Sequence, residues 1–294
     1  GQCFNVGFCP ESSYEPMSMP TLMTPANYTQ LPVVKGDVRY AYGSQEDQFG
    51  ELFRPSTPAP DSGYPTVALL HGGCWRQAFG AEPMGQLARA IAQLGVAVWN
   101  LEYRRLDGAG GWPQTFEDIS NGVDWLKVIA KDELLDLDKA AVAGHSAGGH
   151  LALWASARHR LPADSELANE SPLPLRAAIS LAGIGDLDDA NLREICRGAP
   201  AQLMGGLADE RPDRYASGSP RRLLPLGVPQ FHICGTQDVL VPIDHVRGFV
   251  QHASEAGDDA WLTEVPDAGH FEIVTAGSSA WPTVEAVFRD VLVN

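Results

Sequence analysis

Short, mostly apolar runs alternate with stretches of helical spacing, and this rhythm constrains the chain more than any other feature. Thr66–Leu70 (TVALL), Val96–Leu101 (VAVWNL), Ala140–Ala143, Ala177–Ala182 (AAISLA), Val228–Cys234 (VPQFHIC) and Trp261–Val265 are the short runs. A strand that is apolar on successive residues is buried on both faces. Between these runs lie apolar residues three and four apart. Met84, Leu87, Ala88, Ile91 and Leu94 form one set, and Phe116, Ile119, Val123, Leu126 and Ala130 another. Ala147–Ala157, then Val246 to Ala253 and Val284 to Val291, continue the pattern. Strands alternating with helices imply a mostly parallel sheet covered on both sides, an α/β fold.

Two regions break the rhythm. Residues 186–226 are rich in Gly, Pro, Asp and Arg, and they are too long for an ordinary connection. They read as a cap-like excursion beside a pocket. Residues 1–30 read as an N-terminal arm; the first sixteen lack the basic start and apolar stretch of a signal peptide. Val33–Tyr42 alternates polar and apolar residues, which suits an early antiparallel strand. A total of 294 residues then fits one α/β domain over 31–294 with the excursion inside it.

Charge and cysteine content narrow the partners. With 21 basic against 37 acidic residues the net charge is −16, which disfavours phosphate backbones and anionic membrane surfaces. No apolar run approaches the roughly 20 residues of a membrane helix. A small-molecule substrate is the expected partner, with neither nucleic acid nor membrane involved. The five cysteines (3, 9, 74, 196 and 234) are scattered, without C-x-x-C. This predicts neither a zinc ribbon nor a redox pair, and fits a reducing, cytoplasmic compartment. No H-E-x-x-H is present, so a metal hydrolase is not indicated.

Four motifs carry chemistry, and each follows a strand. Gly144-His145-Ser146-Ala147-Gly148 lies between a strand and a helix. There a G-x-S-x-G turn projects its serine above the sheet, with the helix N-terminus aimed at the same place. His71-Gly72-Gly73 follows the Thr66–Leu70 strand. Its glycines let amides approach a developing oxyanion, so Gly72 and Gly73, with the Ala147 amide, are candidate donors. Gly235-Thr236-Gln237-Asp238 and Asp267-Ala268-Gly269-His270 follow the last two strands. The order Ser146, Asp238, His270 is nucleophile, acid, base, with His270 taking the serine proton and Asp238 fixing the imidazole. Asp186, after the Ala177–Ala182 strand, is the rival acid. Cys74, Trp75, Tyr103 and His145 are candidate pocket residues. Cys74 has no base near it in sequence and reads as lining rather than nucleophile. Glu102-Tyr103-Arg104-Arg105 reads as an ion-paired brace.

Taken together, HGG, GHSAGG, GTQD and AGH resemble the α/β-hydrolase superfamily from about residue 33 onward. His71-Gly72-Gly73-Cys74-Trp75 is similar to the H-G-G-x-W pattern of arylformamidases and of small-ester and feruloyl-type esterases. The resemblance implies a serine hydrolase with a Ser146–Asp238–His270 triad, no metal and no organic cofactor. The expected reaction is hydrolysis of a small, partly aromatic carboxylic ester through an acyl-serine intermediate. An arylformamidase, an acyltransferase and a non-catalytic binding protein are the alternatives. The complete set of motifs argues against the last.

Overall fold

The computed structural model describes residues 21–294. Eight strands form one sheet: β1 (Val38–Ala41), β2 (Phe49–Phe53), β3 (Tyr64–Leu70), β4 (Ala97–Leu101), β5 (Leu135–His145), β6 (Ala178–Leu181), β7 (Gln230–Gly235) and β8 (Ala260–Val265). Their order is β1-β2-β4-β3-β5-β6-β7-β8. β2 runs against both β1 and β4, and every other pair is parallel. In β4 and β6 every residue is buried, so both faces of the central sheet are covered, as the apolar runs require.

Among the described residues eleven α-helices accompany the sheet. They are α1 (Pro25–Thr29), α2 (Gly85–Ala92), α3 (Gln114–Asp124), α4 (Leu126–Ile129), α5 (Ala147–Ser156), α6 (Leu187–Leu192), α7 (Ala199–Met204), α8 (Pro212–Gly218), α9 (Pro220–Leu223), α10 (Ile243–Glu255) and α11 (Trp281–Leu292). All ten residues of α5 are buried, so it carries no polar face. Its first turn presses directly on strand backbone. A Cβ on Gly144 would stand 2.0 Å from the Gly148 carbonyl oxygen, and one on Gly148 would stand 2.2 Å from that of Leu70. Neither position accepts a side chain, and this contact fixes where the serine between them points.

Two elements differ from the sequence expectation. β2 carries no continuous apolar run, because Gly50 lies beneath the Trp99 ring and Glu51 faces outward to Arg39. β5 begins at Leu135, ahead of Ala140, and its polar start pairs with β3 across a register shift between Pro65 and Thr66. The excursion is resolved into α6–α9, all between β6 and β7. Of the stretch read as an arm, residues 1–20, with Cys3 and Cys9, lie outside the described residues. In the remainder, α1 buries Tyr28 against the body of the protein.

Candidate active site

Ser146 stands between β5 and α5 with φ 56° and ψ −119°, a left-handed backbone that a serine holds only under constraint. The constraint is visible. Its N–H donates to the Leu181 carbonyl at 2.9 Å, and its carbonyl accepts from His150 N and Ile184 N. The turn is thereby fastened to the end of β6 and to its own helix. The amide of Ala147, the first residue of α5, is at a helix N-terminus, where N–H groups lack intrahelical partners.

The loops after β7 and β8 meet beside it. Asp238 Oδ1 accepts from the amides of Leu240 (2.9 Å) and Val241 (2.8 Å). Its other oxygen, Oδ2, lies 2.6 Å from His270 Nδ1. Three donors thus hold one buried carboxylate, and the imidazole is held by its Nδ1–H with Nε2 left for other work. The two loops are also tied to each other, Gln237 N to Ala268 O and Asp267 N to Thr236 Oγ1. Asp186, the rival acid, does something else: Oδ1 caps α6 by accepting from the amides of Asp188 and Asp189.

Histidines around the site are held neutral. Burial and the neighbouring His270 push the His145 pKa well below its ordinary value. His145 Nε2–H then donates to the His270 carbonyl at 3.0 Å and supports the loop that carries the imidazole. His71 is pushed down to about 3 by burial and by the Arg105 guanidinium. Its Nδ1–H donates to Gly72 O at 2.7 Å, and Tyr103 stacks on the ring while donating to the His71 carbonyl at 2.8 Å. Arg105 lies between His71, Glu102 and Asp47, and Arg104 grips Asp118. The segment Glu102–Arg105 therefore braces the HGG turn. Gly73 has φ 103° there.

Ser146, His270, Gly72, Gly73 and His145 line one cavity of about 1200 Å³. Its walls come from separate elements: Tyr28 on α1, Phe79, Ile195 and Cys196 beyond α6, Val241, and Phe271. Tyr28 stacks on Phe271 with ring centroids 4.9 Å apart. Glu272 links the same two segments, accepting from the amides of Met23 and Gly269. Two pocket expectations are corrected. Trp75 and Tyr103 are fully buried and do not line the cavity. Trp75 Nε1 donates to His150 Nδ1 at 3.2 Å, and Tyr103 supports His71. Cys74 does line the cavity, but as half of a disulfide with Cys196. This pairing runs against the expectation of a reducing compartment drawn from the scattered cysteines. Tyr28, Glu272 and Cys196 were not singled out in the sequence, and none stands in a motif. Among the described residues no cluster of three His, Cys, Asp or Glu is placed to hold a metal.

Sheet order, with the serine turn and the Asp–His pair at the carboxyl ends of the strands, is that of the α/β-hydrolase fold. The sequence matches the BD-FAE family over residues 52–252, and the chain belongs to that family. Esterase LipC of Mycobacterium tuberculosis is 26% identical over 260 residues, covering 85% of this chain and 63% of the relative. The chain spans about three-fifths of the length of the curated relatives it matches. Among solved structures, an inhibited esterase B from Lactobacillus rhamnosis superposes with a TM-score of 0.74 at 19% identity, covering 90% of this chain and 91% of that one. Propionate-bound Est2 of the planctomycete Thermogutta terrifontis gives 0.69 at 20% identity, covering 88% and 94%. At such identities the likeness shows the fold.

Proposed function

We propose that the chain hydrolyses carboxylic esters through an acyl-serine intermediate. The observation that carries this reading is the strained Ser146 turn sharing a cavity with His270, whose Nδ1 is held by the Asp238 carboxylate. In this reading Ser146 Oγ attacks the ester carbonyl while His270 Nε2 takes its proton. The amides of Gly72, Gly73 and Ala147 receive the developing oxyanion. Collapse expels the alcohol, which takes the proton back from His270. Water activated by the same nitrogen then releases the acid. Asp238 orients the imidazole and stabilises its charged form.

The substrate is a small, partly aromatic ester. Tyr28, Phe79 and Phe271 on the walls support an aromatic partner. Est2 with bound propionate and esterase B with a C6-C4 inhibitor, proteins of this fold, support a small ligand. The formamidase alternative draws no support from these relatives, and the tryptophan that prompted it faces His150 instead of the cavity. No helix among the described residues is long and apolar enough to cross a membrane. The cytoplasmic expectation rested on scattered cysteines without C-x-x-C. The Cys74–Cys196 bridge favours an oxidising compartment instead.

Labelling with a fluorophosphonate, read by intact mass, tests the reaction class. One adduct on the native chain, absent from Ser146→Ala, is expected. A folded native chain without adduct overturns the reading. The substrate is tested by comparing p-nitrophenyl acetate, butyrate and laurate with an aryl formamide; fastest turnover of the laurate or of the formamide discards the small-ester assignment.

A further inference from the structure

Three consecutive residues after the HGG glycines each reach the helical insertion. Cys74 is bonded to Cys196, in the turn between α6 and α7. Trp75 reaches α8 through His150, whose Nε2–H donates to the Gly218 carbonyl at 2.8 Å. Arg76 Nη2 donates to Gln202 Oε1 on α7 at 2.8 Å. The covalent tie comes first in sequence, one residue after Gly73.

Backbone on both sides of the bridge is in the left-handed region. Cys74 and Trp75 have φ of 55°, and Glu194, Cys196 and Arg197 have 54°, 58° and 50°. For residues with a Cβ such conformations cost on the order of 1 kcal/mol or more each and persist only where the surroundings impose them. The turn that carries Cys196 contributes Ile195 and Arg197 to the cavity wall. Loop and wall are thus one unit, closed by a bond between residues 122 apart in sequence.

We propose that the Cys74–Cys196 bridge is a positioning element for acyl transfer: it holds the Gly73 amide where the oxyanion develops. Neither sulfur touches the reacting atoms. The bridge acts by denying the Gly73–Trp75 backbone its relaxed conformations, so that the amide is in place before substrate arrives. The inference rests on the serine-hydrolase reading. An oxyanion donor displaced by about 1 Å costs on the order of a hundredfold in rate, whereas ground-state binding of the ester hardly uses that donor.

The test compares the full-length native chain with Cys74→Ser, Cys196→Ser and the double variant, and with native chain reduced in place by a phosphine. Peptide mapping reports the state of the bridge in each. The expected result is a fall in kcat on p-nitrophenyl acetate of about 10- to 100-fold, with KM changed by less than about threefold. The fall is equal in the single and double variants, and phosphonate inactivation slows in step, because both reactions use the oxyanion site. A bridge that merely stabilises the fold lowers the melting temperature and leaves kcat and the phosphonate rate intact below it; that outcome overturns the proposal. So does a fully active native chain whose mapping finds both thiols free. Should the variants fail to fold, the reduced native chain decides by the same two rates. A native chain that takes no phosphonate removes the hydrolase reading itself, whereas a labelled native chain with equally reactive variants removes only the role of the bridge.

Discussion

At the carboxyl edge of the sheet, backbone is packed on backbone; over it, the walls of the cavity hang from side chains. Gly144 and Gly148 touch strand and helix main chain so closely that no Cβ fits, and Ser146 is fastened by three main-chain hydrogen bonds. The walls instead depend on a stacked Tyr28–Phe271 pair and on the Glu272 carboxylate between Met23 and Gly269, with the Cys74–Cys196 bridge tying wall to floor. A backbone-held floor tolerates few substitutions, since each change moves main chain. A wall held by side chains can be rebuilt by other pairs without disturbing the chemistry beneath. The comparison therefore assigns turnover to the floor and substrate selection to the walls.

The largest effect expected tests the floor. Ser146→Ala removes the attacking oxygen, and aryl-ester turnover falls by at least about 10⁴-fold with an unchanged melting curve. Asp238→Asn leaves the imidazole in the wrong tautomer and costs on the order of 10³- to 10⁴-fold, whereas Asp186→Asn stays within about twofold. The reverse ranking in steady-state kinetics would move the acid to the loop after β6 and dissolve the division drawn here. Gly148→Ala forces a methyl group against the Leu70 carbonyl and is expected to lose about 1–3 kcal/mol in urea unfolding. A wall substitution behaves differently. Tyr28→Ala opens the cavity beside Phe271, and KM for an aryl ester rises about tenfold while kcat moves less. An equal loss in kcat would mean that wall and floor are not separable.

One further effect is graded with pH. Burial lowers His232 to about 3 and His150 to about 4. In the unfolded chain each titrates near about 6.5. As pH falls below that value the unfolded chain takes up protons that the folded protein refuses, so stability declines. Each of these histidines contributes a slope on the order of 1 kcal/mol per pH unit between about 6.5 and 4. Urea midpoints at pH 7, 6 and 5 measure the total, and His150→Gln is expected to flatten it; a total that rises towards pH 5 would overturn the assignment of neutral buried rings.

The same division explains how much could be read from sequence. The central strands were legible because burial on both faces leaves no place for polar residues. The serine turn was legible because close backbone contact demands glycine at fixed spacing. Asp238 and His270 were placed by their positions past strand ends, and the structure brings them to 2.6 Å. β2 was not legible, since an antiparallel strand with Gly50 under Trp99 shows neither run nor alternation. The walls were not legible either. Tyr28 meets Phe271, and Cys74 meets Cys196, through pairings that follow from how distant segments fold together and leave no local pattern. Trp75 misled for the converse reason: its place in a motif reflects a structural hydrogen bond to His150 rather than a contact with substrate.

The bond between Met23 N and Glu272 spans 249 residues, and this has a consequence for biosynthesis. On the ribosome the strands that form the serine turn emerge well before residues 269–272. Until residues 269–272 are made, neither the imidazole nor its supporting loop exists, and α1 has nothing to stack on. In the proposed reaction Ser146 therefore has no base to take its proton until residues 269–272 have been made and have folded back beside α1.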